Sequence, residues 1–133
     1  MIQQMTYVVD THAMIWFLEK NPRLSETARD TLRSPNAQLV IPTIVLAEIN
    51  FLYTRNRIII NLSEVLDHIT GAENCIVCPL DESVVEHLPA ILNIHDGIIV
   101  ATALTLRDEL GEDVALVTKD TEIASSGLVK VIW

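Results

Sequence analysis

Residues 6–16 read TYVVDTHAMIW. A short apolar run, Tyr7-Val8-Val9, ends in a carboxylate at Asp10, and an apolar helical pattern begins almost at once. A buried strand that finishes on an aspartate has two explanations. The aspartate caps the helix that follows, or it stands at the mouth of a charged site at the carboxyl end of the strand. The rest of the chain repeats the pattern often enough to define a fold.

Beside TYVVD (6–10), four more runs share its character: AQLVIP (37–42), CIVCPL (75–80), VALVTK (114–119) and VKVIW (129–133). They are rich in Val and Ile and nearly continuous, as expected of parallel strands buried on both faces. Helical patterns lie between them, over about 12–20, 25–34, 43–56, 61–71, 82–91 and 95–110, with a short one near 121–126. Asn21-Pro22 closes the first helix, and Ser34-Pro35-Asn36 forms a turn. Gly71, Gly111 and Gly127 stand where helix C-caps are expected. The order β-α-α-β-α-α-β-α-α-β-α-β predicts an α/β fold: one domain, 1–133, with a mainly parallel sheet of about five strands and helices on both faces.

Bulk composition sets limits. Half of the 133 residues are hydrophobic, which excludes a mainly disordered chain despite a formal net charge of -9. The acidic balance argues against a general nucleic-acid coat protein. It leaves room for an enzyme that meets nucleic acid through a metal ion, or for a partner with a basic segment. No apolar run is long enough to span a bilayer. The start, MIQQMTYVVD, lacks a basic leader region, so a soluble cytoplasmic protein is expected. Cys75 and Cys78 have CxxC spacing but fall in a strand pattern, where i and i+3 face opposite ways. With no second pair to complete a zinc site, they read as structural thiols.

In a doubly wound sheet, ligands sit beyond the carboxyl ends of the strands. Asp10, Asp81 and Asp120 follow strands there. Glu48 lies within the core-facing stripe Val45, Ile49, Leu52 of the next helix, where an ionised carboxylate is costly without a partner or a metal. Asp96 shares a face with Ile99, Val100 and Ala103, although a first-turn aspartate also offsets the helix dipole. If Asp10, Glu48, Asp96 and Asp120 converge, they require a cation. Two carboxylates about 4 Å apart repel by about 4 kcal/mol at an effective dielectric of 20. Hard oxygen donors of this kind suit Mg²⁺, with Mn²⁺ as the alternative. His12 and His95 stand within two positions of these acids; a metal-binding or proton-transfer role is open to them, with packing beside the site or orienting an acid the commoner use, and His12 counts as an auxiliary candidate. His68 and His87 read as structural, Asp81 as an N-cap, and Trp16, Phe17 and Leu18 as buried rather than placed for base stacking.

At these residues the chain resembles the PIN-domain family, and within it the VapC-like ribonuclease toxins of toxin–antitoxin pairs. VVDTHAMIW looks like the family's first motif, VLAEI the second, HDGIIVATAL the third and LVTKDTEI the fourth. The resemblance covers essentially the whole chain. It implies that Asp10, Glu48, Asp96 and Asp120 bind metal, that Thr118 is the hydroxyl residue preceding the fourth acid, and that Glu122 is an occasional further acid. It further implies Mg²⁺-dependent cleavage of RNA, a homodimer and neutralisation by a small antitoxin. One departure stands out. Many relatives carry an arginine or other long residue directly after the third acid, whereas Gly97 follows Asp96 here, leaving Lys119 as the basic candidate near the site.

Two other readings compete. A receiver-type phosphoacceptor domain also has an acidic Mg²⁺ site and a lysine, but it needs adjacent acids after the first strand, where this chain has Thr11-His12. A catalytically silent binding module would keep the fold for partner contacts, which the presence of all four acids argues against.

Overall fold

The computed structural model describes residues 4–133; the reading of the chain start as free of a leader falls partly on residues 1–3, outside the described residues. The first half contains β1 (Thr6–Val9), α1 (Thr11–Leu18), α2 (Glu26–Arg33), β2 (Gln38–Pro42), α3 (Thr43–Thr54) and α4 (Leu62–Gly71). The second half contains β3 (Cys75–Cys78), α5 (Glu82–Glu86), α6 (Ile94–Leu110), β4 (Val114–Val117), α7 (Thr121–Ser126) and β5 (Lys130–Ile132).

All five strands pair in parallel, in the order β3-β2-β1-β4-β5. Thr6 of β1 is in register with Gln38 of β2 on one side and with Val114 of β4 on the other. Right-handed crossovers therefore place α1–α4 on one face and α5–α7 on the opposite face. The chain moves outward from β1 to β3, then returns to β4 beside β1. That reversal puts the crevice of the sheet at the carboxyl ends of β1 and β4.

The centre of the sheet is the core. Val8, Val9, Ile41, Leu116 and Val117 are fully buried, and Val45 and Ile49 of α3 pack with them. Each such side chain contributes about 1.5–3 kcal/mol through removal from water. At the edges the expectation of burial on both faces fails. Ile76 of β3 is 49% exposed and Lys130 of β5 is exposed, because an edge strand has one neighbour and incomplete cover.

Other boundaries differ for local reasons. The helix expected over 82–91 stops at Glu86: Pro89 has no N–H to continue the ladder and keeps Leu88 out of the helical region. The first helix stops at Leu18, and Lys20 takes a left-handed φ of 55° before Asn21. Trp16, Phe17 and Leu18 are only partly buried, not enclosed as expected. Gly111 and Gly127 cap α6 and α7 with φ of 67°. Gly71 does not cap; it is the last helical residue of α4, with extended Ala72 after it.

That contrast is testable, since nothing lies within 4 Å of a Cβ built at either Gly71 or Gly111. Gly111→Ala forces a left-handed L-residue and should destabilise by about 1–2 kcal/mol. Gly71→Ala should stabilise by about 0.5–1 kcal/mol. Urea unfolding midpoints of the two variants should move in opposite directions.

Candidate active site

Asp10 directly follows β1 and is the N-cap of α1. Its Oδ1 accepts the Ala13 N–H at 2.8 Å and its Oδ2 accepts the Thr118 hydroxyl. Its own N–H donates to the Val117 carbonyl of β4 at 3.2 Å, which ties the ends of the two central strands together. Asp120 ends the turn after β4 and caps α7, its Oδ1 accepting the Ile123 N–H at 2.9 Å. The Asp120 N–H in turn donates to Thr118 Oγ1 at 3.1 Å. Thr118 is 1% exposed, so a single buried hydroxyl joins the two aspartates.

Asp96 sits in the first turn of α6, but Asn93 is the cap. Asn93 Oδ1 accepts the Asp96 N–H at 2.9 Å, and Asn93 Nδ2 donates to Asp96 Oδ2 at 2.7 Å. This reciprocal pair fixes the Asp96 side chain at the helix entry. Glu48 projects from α3 with 25% of its side chain exposed, and its Oε2 lies 3.7 Å from His95 Nδ1. Its Oε1 is buried with no hydrogen-bond partner.

The four acids line one cavity of about 500 Å³. Lys119 and His12 line it too. Glu122 does not: it is exposed in the first turn of α7. Asp81 also lies elsewhere, capping α5 through the Val84 N–H at 3.1 Å. His87 packs structurally, its Nδ1 2.7 Å from the Ser83 carbonyl oxygen. Gly97 faces away from the cavity, since a Cβ there would meet Leu88 and the Pro89 carbonyl. The thiols are remote on β3; burial pushes Cys75 up to about 11, and burial also raises Cys78.

Four lining residues were not expected at the site from sequence: Thr11, Ile99, Thr121 and Trp16, the last expected to be buried. Thr11 is 4% exposed and its hydroxyl has no partner. Trp16 is half-buried against the ring of His12 at 5.5 Å and Trp133 at 5.9 Å, with Lys119 Nζ 5.8 Å from its centroid. The signal for Trp16 was its i+4 spacing from His12, which places both on one helix face.

Chemically the donor set is hard oxygen, and the orphaned buried Glu48 oxygen is the kind of group a cation satisfies. In donor type the residues therefore fit a divalent ion, although among the described residues no group of three or more His, Cys, Asp or Glu side chains is placed to hold one. Burial pushes the Asp10 carboxyl above its ordinary 3.8; the Thr118 hydroxyl, the Ala13 N–H and His12 oppose the rise, and Asp120 adds to it.

An α/β domain whose acids gather at the switch point of its sheet belongs to a restricted class, and comparison with known proteins specifies which. The PIN domain family model matches residues 7–126, so the chain belongs to the PIN-domain family. That membership replaces the receiver-type reading. Comparison with curated protein sequences gives no match. Among solved structures, the chain is similar to VapBC2 from Rickettsia felis bound to a promoter DNA fragment, at 15% identity and TM-score 0.65, covering 95% of this chain and 96% of that one. It is also similar to VapBC-1 from nontypeable Haemophilus influenzae, at 19% identity and TM-score 0.62, covering 95% and 96%. A toxin–antitoxin complex from Klebsiella pneumoniae matches at 19% identity and TM-score 0.63, covering 96% of both. At these identities the likeness is one of fold.

The raised Asp10 carboxyl has a measurable consequence. Above 3.8 and below the raised value, the native state holds a proton that the unfolded state has released. Linkage then makes the unfolding free energy fall as pH rises through that window. Asp10→Asn keeps an acceptor for the Ala13 N–H and removes this fall. Urea unfolding of metal-free protein between about pH 3.5 and 7 should show a more negative pH slope in the parent than in Asp10→Asn; equal slopes would refute the raised carboxyl.

Proposed function

We propose that residues 1–133 act as one PIN-like domain with divalent-metal-dependent endoribonuclease activity, the toxin of a type II toxin–antitoxin pair. One observation carries the reading. Asp10, Glu48, Asp96 and Asp120, from four separate stretches of chain, line a single cavity at the switch point of the sheet. Four carboxylates are gathered there at an electrostatic cost that a cation offsets.

Asp10, Asp96 and Asp120 would hold one or two ions, with Glu48 completing the set. A bound Mg²⁺, or Mn²⁺ in its place, supplies activation of the attacking water and stabilisation of the leaving oxygen. The remaining residues position. Thr118 holds Asp10 and Asp120 together, Asn93 holds Asp96, and His95 stands beside the inner carboxylate of Glu48. Lys119 brings positive charge to the rim, where a phosphate would enter. The reaction needs no covalent intermediate on a side chain, in keeping with cysteines that lie on β3 away from the cavity.

The similar solved structures are toxin–antitoxin complexes, which supports a small antitoxin as partner. Exposed Val85, Ile91 and Ile94, around the entry to α6, offer apolar surface for a homodimer. The proposed place of action is the cytoplasm; among the described residues no helix is long and apolar enough to cross a membrane. A second reading, a silent module that binds without cutting, draws on the side-chain placement: among the described residues no three or more His, Cys, Asp or Glu side chains are positioned to hold a metal ion.

The test is cleavage of a mixed tRNA and rRNA pool by purified protein freed of any antitoxin, with Mg²⁺, with Mn²⁺ and with EDTA. Discrete, metal-dependent cuts are expected. Asp96→Asn should lose more than about 100-fold, beyond the 10–100-fold typical of groups that only orient a ligand. Mg²⁺ at about 100 times its Kd should also raise the unfolding free energy by about 2.7 kcal/mol. Stabilisation by metal without cleavage would favour the silent module; neither effect would remove the metal site.

A further inference from the structure

The chain carries 18 acids against nine lysines and arginines, yet six of those nine fall between Lys20 and Arg57. Five of them, Lys20, Arg23, Arg29, Arg33 and Arg57, line hollows beside the carboxyl half of α1. A groove of about 520 Å³ lies there, lined by His12, Trp16, Arg23 and Arg57 above the apolar side chains of Leu52 and Ile58. His12 and Trp16 also line the acid cavity, so groove and cavity are continuous across one turn of α1.

The groove's charge is available. Among the described residues Arg23 and Arg57 make no ion pair, whereas Arg29 and Arg107 each lie against a neighbouring carboxylate. Both Arg23 and Arg57 are exposed. One acid, Glu19, also lines the groove, and its Oε2 accepts the Ile59 N–H at 3.3 Å. Two guanidinium groups without carboxylate partners, on separate chain segments, fit an extended anion. Their planar forks match phosphate oxygens. At the junction with the acid cavity stands a half-buried indole, which offers a nucleobase a stacking surface.

We propose that this groove is the RNA track of the chain. Single-stranded RNA with its scissile phosphate in the acid cavity continues over His12 and Trp16 and sets its next phosphates against Arg57 and Arg23. The inference rests on the ribonuclease reading of the acid cavity. Continuity with that cavity favours RNA over an acidic peptide, which would have no reason to lead into four carboxylates. A duplex keeps its bases stacked inside and leaves Trp16 without a partner, so the strand is single.

The test separates binding from cleavage. A fluorescent oligoribonucleotide of about ten residues is titrated with Asp96→Asn protein in Mg²⁺, from 50 to 200 mM salt, and binding is read by anisotropy. In that background, Arg23→Ala with Arg57→Ala should flatten the dependence of log affinity on log salt by about 1.4, or about 0.7 per lost phosphate contact. Trp16→Leu should weaken binding by about tenfold with the slope unchanged. Lys130→Ala, exposed on edge strand β5 and lining neither the cavity nor the groove, should match the parent. Thermal melts check that each variant folds, and Arg57→Glu gives a second variant at an exposed position.

Slope and affinity equal to those of Lys130→Ala would overturn the track. So would failure of the parent to bind RNA. Unchanged RNA binding with weakened binding of the cognate antitoxin would also overturn it, making the groove a protein-docking face. Arginine-dependent RNA binding with no cleavage by the unmutated protein would remove the nuclease reading and support the track.

Discussion

One buried hydroxyl holds the candidate site in register. Thr118 donates to Asp10 and accepts from the backbone of Asp120, at the ends of the two strands between which the sheet reverses direction. Without that link the two aspartates would meet only as like charges. With it, both are fixed before any cation arrives, so the site does not have to order them at the moment of binding. The Asp10 N–H to the Val117 carbonyl adds a backbone tie at the same place. The hydroxyl also limits what burial does to Asp10, because it stabilises the ionised carboxylate that a metal needs.

The acids are tolerated for a second reason. Asp10 and Asp120 cap α1 and α7, and Asp96 sits in the first turn of α6. Three helix N-termini thus direct partial positive charge and free N–H groups at the place where carboxylates collect. Capping and site formation had been competing explanations for each aspartate. In the folded protein Asp10 and Asp120 both cap a helix and line the cavity, whereas Asp96 lines the cavity and leaves the cap to Asn93. Glu48 is the exception: it lies mid-helix, makes its one ion-pair approach among the described residues with His95, and keeps a buried oxygen without a partner.

Much of this was legible in sequence because parallel strands and amphipathic helices leave periodic traces. The five apolar runs mark the five strands, and the carboxylates after them mark the switch-point edge. Position within the sheet left no trace. CIVCPL and VALVTK read alike, yet one forms an exposed edge and the other the buried centre, since strand order is set by crossovers and not by local composition. Pro89 was visible, but its power to end α5 early was outweighed by the helical pattern around it. Trp16 was read as core because its neighbours are apolar. Its place at the cavity rim depends on Trp133 and Lys119, more than a hundred residues away. The family's motifs carried the four acids together where each alone was ambiguous.

The pairing of β1 with β4 has a consequence in time. Asp10 and the hydroxyl that holds it are 108 residues apart. A ribosome that has made the first hundred residues has already supplied Asp10, Glu48 and Asp96. It has not supplied β4, Thr118 or Asp120, and so has not closed the floor between the acids. Contacts of such long sequence separation form late and reward the chain only when both distant partners are present. A stalled or truncated product would expose three of the acids with no cavity around them. The activity proposed for the cavity is thereby kept from the nascent chain by topology, until β4, Thr118 and Asp120 have been made.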